Sequence, residues 1–127
     1  MENLSIKGTD DTPSIELNKE QNIYTISGMS LPEDVKSFYR PVIDWFTKYF
    51  NEPNEQTTVK FTMTYFNTAS SKIVLDIFQL VKNAKQNGHD VSILWGYEED
   101  DEEMCETGED FAEIIGIDVQ LKEFPVN

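Results

Sequence analysis

Residues 67–72 read Asn-Thr-Ala-Ser-Ser-Lys, which gathers three hydroxyls, Thr68, Ser70 and Ser71, beside one cation, Lys72. A strand-like run stops at Asn67 and a helical pattern starts straight after it, so these residues occupy a helix N-terminus. The first turn of a helix has free amide hydrogens and the positive end of the macrodipole. Two kinds of chemistry are open to hydroxyls in such a corner. The commoner is capping, in which a side-chain oxygen accepts from a first-turn amide. Thr68 or Ser70 could serve, and spacing does not choose between them. The other is phosphoryl acceptance. A phosphate on Thr68 adds roughly −1.5 to −2 charges, where the dipole and Lys72 partly stabilise it. It would alter any partner surface built on the corner, by charge and by bulk.

A second candidate is the run EEDDEE at residues 98–103. From Glu98 to Glu113 there are ten acidic residues and no Lys or Arg, so this segment alone carries 10 of the 14 net negative charges. Its plain reading is a solvated loop and helix first turn, where carboxylates suit the dipole. A sharper one is a docking face for a basic partner, which would set encounter rate and selectivity. A third is a small carboxylate- or metal-dependent enzyme built on residues 98–110. Paired carboxylates do acid–base work only where their environments push their pKa values apart, and a solvated run gives little cause for that. The spacing does not match a calcium loop, and no metal site is expected. His89 stands alone after Gly88 and Cys105 has no histidine partner, so neither zinc nor a Cys–His nucleophile is indicated. Trp45 and Trp95 read as core or rim. No glycine-rich phosphate cradle occurs, and no cofactor is expected. A receiver domain is excluded because the middle strand ends in Asn67-Thr68, where an acceptor Asp would stand.

The elements that must position these groups follow from hydrophobic period. Leu4/Ile6, Ile15/Leu17 and Ile23–Ile26 mark a strand and a hairpin, separated by the turn-rich GTDDTP and NKEQ. Ser30 and Glu33 make an S-x-x-E capping box for a helix whose face runs Val35, Phe38, Tyr39, Val42, Phe46, Tyr49 and Phe50. Pro41 is expected to kink or split it. TTVKFTMTYF is a strand with Val59, Phe61, Met63 and Tyr65 on one side. A helix follows along Ile73, Ile77, Leu80, Val81 and Ala84 to Asn87-Gly88. DVSILWGY is a strand, Asp100–Ile115 a helix burying Phe111, Ala112, Ile114 and Ile115, and DVQLKEF the last strand. The order β-β-β-α-β-α-β-α-β predicts an α/β fold, a mixed sheet with helices packed on it, forming one domain over residues 1–127.

With 24 acidic against 10 basic residues and a net charge of −14, the chain repels nucleic acid and anionic lipid. One cysteine suits a reducing compartment. The N-terminus lacks the features of a signal peptide, and no apolar run approaches the roughly 20 residues of a membrane span. A soluble cytoplasmic domain without membrane insertion is expected.

Four blocks in order carry a family resemblance: GTDDTP (8–13), SGMSLPEDVKSFYRPVIDW (27–45), YFNTASSKIVLDI (65–77) and WGYEEDDEEMCETGEDF (95–111). Through them the chain resembles the SiaC family of bacterial regulatory phosphoproteins nearly end to end. The resemblance implies a fold similar to the STAS domain and a non-enzymatic partner switch. A dedicated serine/threonine kinase would phosphorylate the threonine of the FNT segment, here Thr68, and a PP2C-type phosphatase would reverse it. The unphosphorylated form would bind and activate a diguanylate cyclase, steering biofilm behaviour through cyclic di-GMP. The expected partner surface comprises Asn67, Thr68, Ser70, Ser71 and Lys72, with Asp10 and Thr12 of GTDDTP. Ala69 stands where a serine is expected of the family and supplies no hydroxyl.

Overall fold

The computed structural model describes residues 1–126. Its elements are β1 (Leu4–Ile6), β2 (Ser14–Asn18), β3 (Ile23–Ser30), α1 (Val35–Tyr49), β4 (Gln56–Phe66), α2 (Thr68–Gln86), β5 (Asp90–Glu98), α3 (Glu102–Ile115) and β6 (Gln120–Phe124). This is the order that the periodicity predicts. The strands form one six-stranded sheet in sequential order. β1, β2 and β3 pair antiparallel, and β3 to β6 pair parallel.

That topology decides where the helices go. Each parallel step crosses through a helix, and such crossovers are right-handed. Because every step moves the same way across the sheet, α1, α2 and α3 all land on one face. α1 packs on α2 and α2 on α3. Between them and the sheet lies the core, built on Tyr24, Phe46, Phe61, Phe78 and Trp95. The alternate strand positions, such as Thr58, Lys60 and Ser92, face solvent on the uncovered side. The parallel strands therefore bring the ends of β3, β4, β5 and β6 to one edge, together with the starts of α1, α2 and α3.

Four local expectations are corrected. Ser30 and Glu33 form no capping box: Ser30 is the buried last residue of β3, and Asp34 caps α1 by accepting from the Ser37 amide at 3.2 Å. Pro41 does not split α1, which runs unbroken over 15 residues. Both Pro41 and Ser37, whose carbonyl the proline leaves without its helical donor, are exposed, so water can serve that carbonyl. In β4 the inward alternation stops after Met63. Gly28 pairs with Met63 but Met29 pairs with Tyr65, a bulge that gives β4 one extra residue. Beyond it the parity flips, so Tyr65 is 54% exposed while Phe66 meets Trp95 edge-on and packs at a tilt on Phe111. In α3 the buried positions are Met104, Gly108 and Phe111, an i, i+4, i+7 stripe. Ala112 and Ile115 are half-buried, and Ile114 falls off the stripe at 65% exposure.

Candidate functional site

The corner between β4 and α2 is built around Asn67. Its backbone is extended (φ −84°, ψ 172°), and its side-chain Oδ1 accepts from the Ser70 amide at 2.8 Å. The cap is therefore Asn67, and neither Thr68 nor Ser70 performs that role. Asn ranks with Asp and Ser at the head of the cap preferences, a signal that was available in the sequence. The Asn67 amide donates to the Ser30 carbonyl at 3.3 Å, fastening the corner to the end of β3.

The three hydroxyls have different fates. Ser70 is fully buried; its Oγ donates to the Ser30 carbonyl at 3.0 Å and meets Ser30 Oγ at 2.9 Å. Ser30 Oγ in turn bonds the Tyr39 hydroxyl at 2.6 Å. This buried chain of hydroxyls joins β3, α1 and α2 where the phosphate acceptor is expected. Burial pushes the Tyr39 phenol pKa up, with a smaller opposing effect from the Ser30 bond. The buried position of Ser70 corrects its place on the expected partner surface, because no partner atom can reach it. Ser71 is half-buried and spends its hydroxyl on the Thr68 carbonyl at 2.6 Å. Thr68 is the first helical residue and is exposed, as are Ala69 and Lys72. Lys72 follows Thr68 by four residues, the spacing at which an anion N-terminal to a cation pairs well on a helix.

The GTDDTP loop meets the same edge. The Leu31 amide donates to the Asp11 carbonyl at 2.6 Å, directly beside the Ser30 carbonyl that holds Asn67 and Ser70. Thr12 is half-buried and shares a 2.7 Å hydroxyl bond with Thr9, so it shapes the loop, whereas Asp10 stands exposed. Ser30, which fastens the corner to β3, and Tyr39, which ties α1 to Ser30, are the residues that sequence reasoning missed. A serine ending a strand and a tyrosine on a helix face carry no local sign of such a bond.

The acidic segment forms the next stretch of this edge. Asp101 caps α3 by accepting from the Met104 amide at 3.0 Å, with Glu102 and Glu103 in the favourable first turn. The residues lie on an open rim, with Glu99, Asp100, Glu102 and Glu103 exposed. Beside them a shallow groove of about 340 Å³ is lined by Tyr97, Asp101, Cys105, Glu109 and Glu123 among others. Burial pushes the Cys105 thiol pKa up; its bond with Tyr97 opposes this in part, and Glu109, 3.6 Å from Sγ, adds to it. A thiol held protonated is a poor nucleophile. Among the described residues no group of three or more His, Cys, Asp or Glu is arranged to hold a metal ion, and no helix is long and apolar enough to cross a membrane.

Removing the cap tests the local architecture. Asn67→Ala leaves the Ser70 amide without its acceptor and is expected to cost about 1 kcal/mol. The urea midpoint, compared with wild type, checks it; an unchanged midpoint contradicts the role given to Asn67.

The chain is similar to known proteins over nearly its whole length. The family described as SiaC family regulatory phosphoprotein matches residues 6–124. An uncharacterised protein of Pseudomonas aeruginosa (strain UCBPP-PA14) is 32% identical over 113 residues, 89% of this chain and 90% of its own. Among solved structures, SiaC of Pseudomonas aeruginosa superposes with a TM-score of 0.84 at 28% identity, covering 99% of this chain and 100% of that one. A second match is to the crystal structure of the diguanylate cyclase SiaD in complex with its activator SiaC, from the same organism. There the TM-score is 0.89 at 29% identity, over 95% of this chain and 99% of the matched one.

Proposed function

The chain belongs to the SiaC family of regulatory phosphoproteins, and on that premise we propose that it is a non-enzymatic, cytoplasmic partner switch. In its unmodified form it binds and activates a diguanylate cyclase. A dedicated serine/threonine kinase phosphorylates Thr68 and releases the cyclase, and a PP2C-type phosphatase restores binding. The cyclase assignment rests on likeness to SiaC of Pseudomonas aeruginosa, the activator of SiaD in the complex above.

The observation that carries the reading within this chain is the contrast among the corner hydroxyls. Ser70 is buried and Ser71 is engaged, while Thr68 stands exposed at the first residue of α2. A phosphate there sits at the positive end of the helix dipole, four residues before Lys72. The helix tolerates the modification, so the added charge acts on the partner surface and not on the fold. Asn67, Lys72 and Asp10 are the neighbouring contacts we assign to that surface. The test is cyclase turnover with unmodified and with Thr68-phosphorylated protein; equal activation by both forms would refute the switch.

A further inference from the structure

The sheet has helices on one face only. Near its C-terminal end the other face is neither polar throughout nor flat. The bulge between Gly28 and Met29 turns Tyr65 outwards beside Met29, leaving two neighbouring large apolar side chains 54% and 37% exposed. Across β5 the ring of Phe124 leans over Gly96: a Cβ built at Gly96 would lie 3.4 Å from Phe124 Cδ1 and 2.8 Å from Thr62 Cγ2. Thr62 and Phe124 close over Gly96, and the trough beside them, about 490 Å³, is lined by Lys60, Thr62, Leu94, Gly96, Lys122 and one carboxylate, Glu123, with Phe124 at its rim. Small residues along the floor and large apolar ones at the margin are what a helix needs to lie close on a sheet. Lys60 and Lys122 are both exposed and both line this trough, in a chain with only 10 basic residues against 24 acidic ones.

We propose that this open face is a second docking surface, distinct from the Thr68 edge, and that it takes an amphipathic α-helix of a partner protein whose apolar stripe is flanked by carboxylates. The stripe would cover Met29, Tyr65, Leu94 and Phe124, as helices α1 to α3 cover the opposite face. The flanking carboxylates would meet Lys60 and Lys122, and charge pairs of this kind at an interface rim set selectivity and encounter rate. A second copy of this chain fits poorly, because two molecules of net charge −14 repel.

The experiment titrates the full-length, isotope-labelled chain with a synthetic helical peptide carrying a leucine stripe between glutamates. A peptide with the same stripe between lysines is the control. The expected result is amide shift changes at Ser27, Thr62, Thr64, Gly96 and Lys122 with the acidic peptide and weaker ones with the basic peptide. Lys60→Glu/Lys122→Glu exchanges two exposed side chains, so the fold should persist, as its own spectrum checks. It is expected to weaken the acidic peptide about tenfold or more, each tenfold being roughly 1.4 kcal/mol. The proposal is overturned by shifts confined to the helical face or the Thr68 edge, by equal binding of the basic peptide, or by no shifts. Concentration-dependent shifts without peptide would assign the face to a second copy and also overturn it.

Discussion

Incubated with the cognate kinase and ATP, the Thr68→Ala chain is expected to keep its unmodified mass, while wild type gains one phosphate. Of the three corner hydroxyls, only that of Thr68 belongs to an exposed residue. Ser70 is fully buried and bonded to the Ser30 carbonyl and Ser30 Oγ, so phosphorylating it requires unfolding the first turn of α2. Ser71 donates its hydroxyl to the Thr68 carbonyl and is half-buried. Two effects of the phosphate can be separated by size. Within the helix, a charge of roughly −1.5 to −2 at the first residue gains about 0.3–1 kcal/mol from the dipole and about 0.2–0.5 kcal/mol from Lys72. The melting temperature should therefore stay level or rise slightly. At an interface, an unmatched desolvated charge costs about 2–5 kcal/mol, or upwards of thirtyfold in affinity. The interface term wins, so phosphorylation is expected to change binding without loosening the fold. A Thr68→Ala protein that still gains one phosphate, detected by intact mass, would sink the site assignment.

Gly108→Ala is the substitution expected to damage the fold most for its size. In an exposed helix the exchange gains about 1 kcal/mol, because glycine has the larger backbone entropy to lose. Here Gly108 is buried against Trp95, and an added Cβ would sit 2.7 Å from the ring's Cγ and Nε1. The ring has little room to slide. It is fully buried, its Nε1–H donates to the Met104 carbonyl at 2.9 Å, and it packs on Phe61, Phe78 and Phe111. Overpacking of this kind costs about 1–3 kcal/mol, which exceeds the helix gain over most of that range. For a chain this long each kcal/mol lowers the melting temperature by about 3–5 °C. The affected part is α3, whose first turn carries Glu102 and Glu103 on the same edge as Thr68. A urea midpoint equal to or above wild type would show that α3 does not depend on close contact at Gly108.

Much of this architecture was legible from periodicity alone. Alternation of Val59, Phe61 and Met63 and helical spacing from Ile73 to Ala84 report burial that each element imposes on itself. The errors fall where a neighbour decides. Ser30 looked like a cap because its spacing to Glu33 is right, but its hydroxyl is drawn into the core by Tyr39 and Ser70. Tyr65 looked like the fourth inward residue of β4, and a bulge against β3 turns it out. Ile114 looked buried because it is apolar, yet the helix period from Met104 and Phe111 puts it outside. At the site, the exposed threonine could be picked out only through the family resemblance. The difference among Thr68, Ser70 and Ser71 lies in tertiary hydrogen bonds to Ser30 and in the carbonyl that Ser71 bonds, and no spacing rule records these.

We propose that one phosphate on Thr68 switches the partner surface. The most direct test is a titration of a purified diguanylate cyclase of the SiaD kind with unmodified and with Thr68-phosphorylated protein, following cyclic di-GMP formation. Cyclase turnover should rise and saturate with the unmodified protein and stay near its basal rate with the phosphorylated one, until phosphatase treatment restores the rise. Superimposable titration curves for the two forms, with the phosphate verified by mass, would contradict the account.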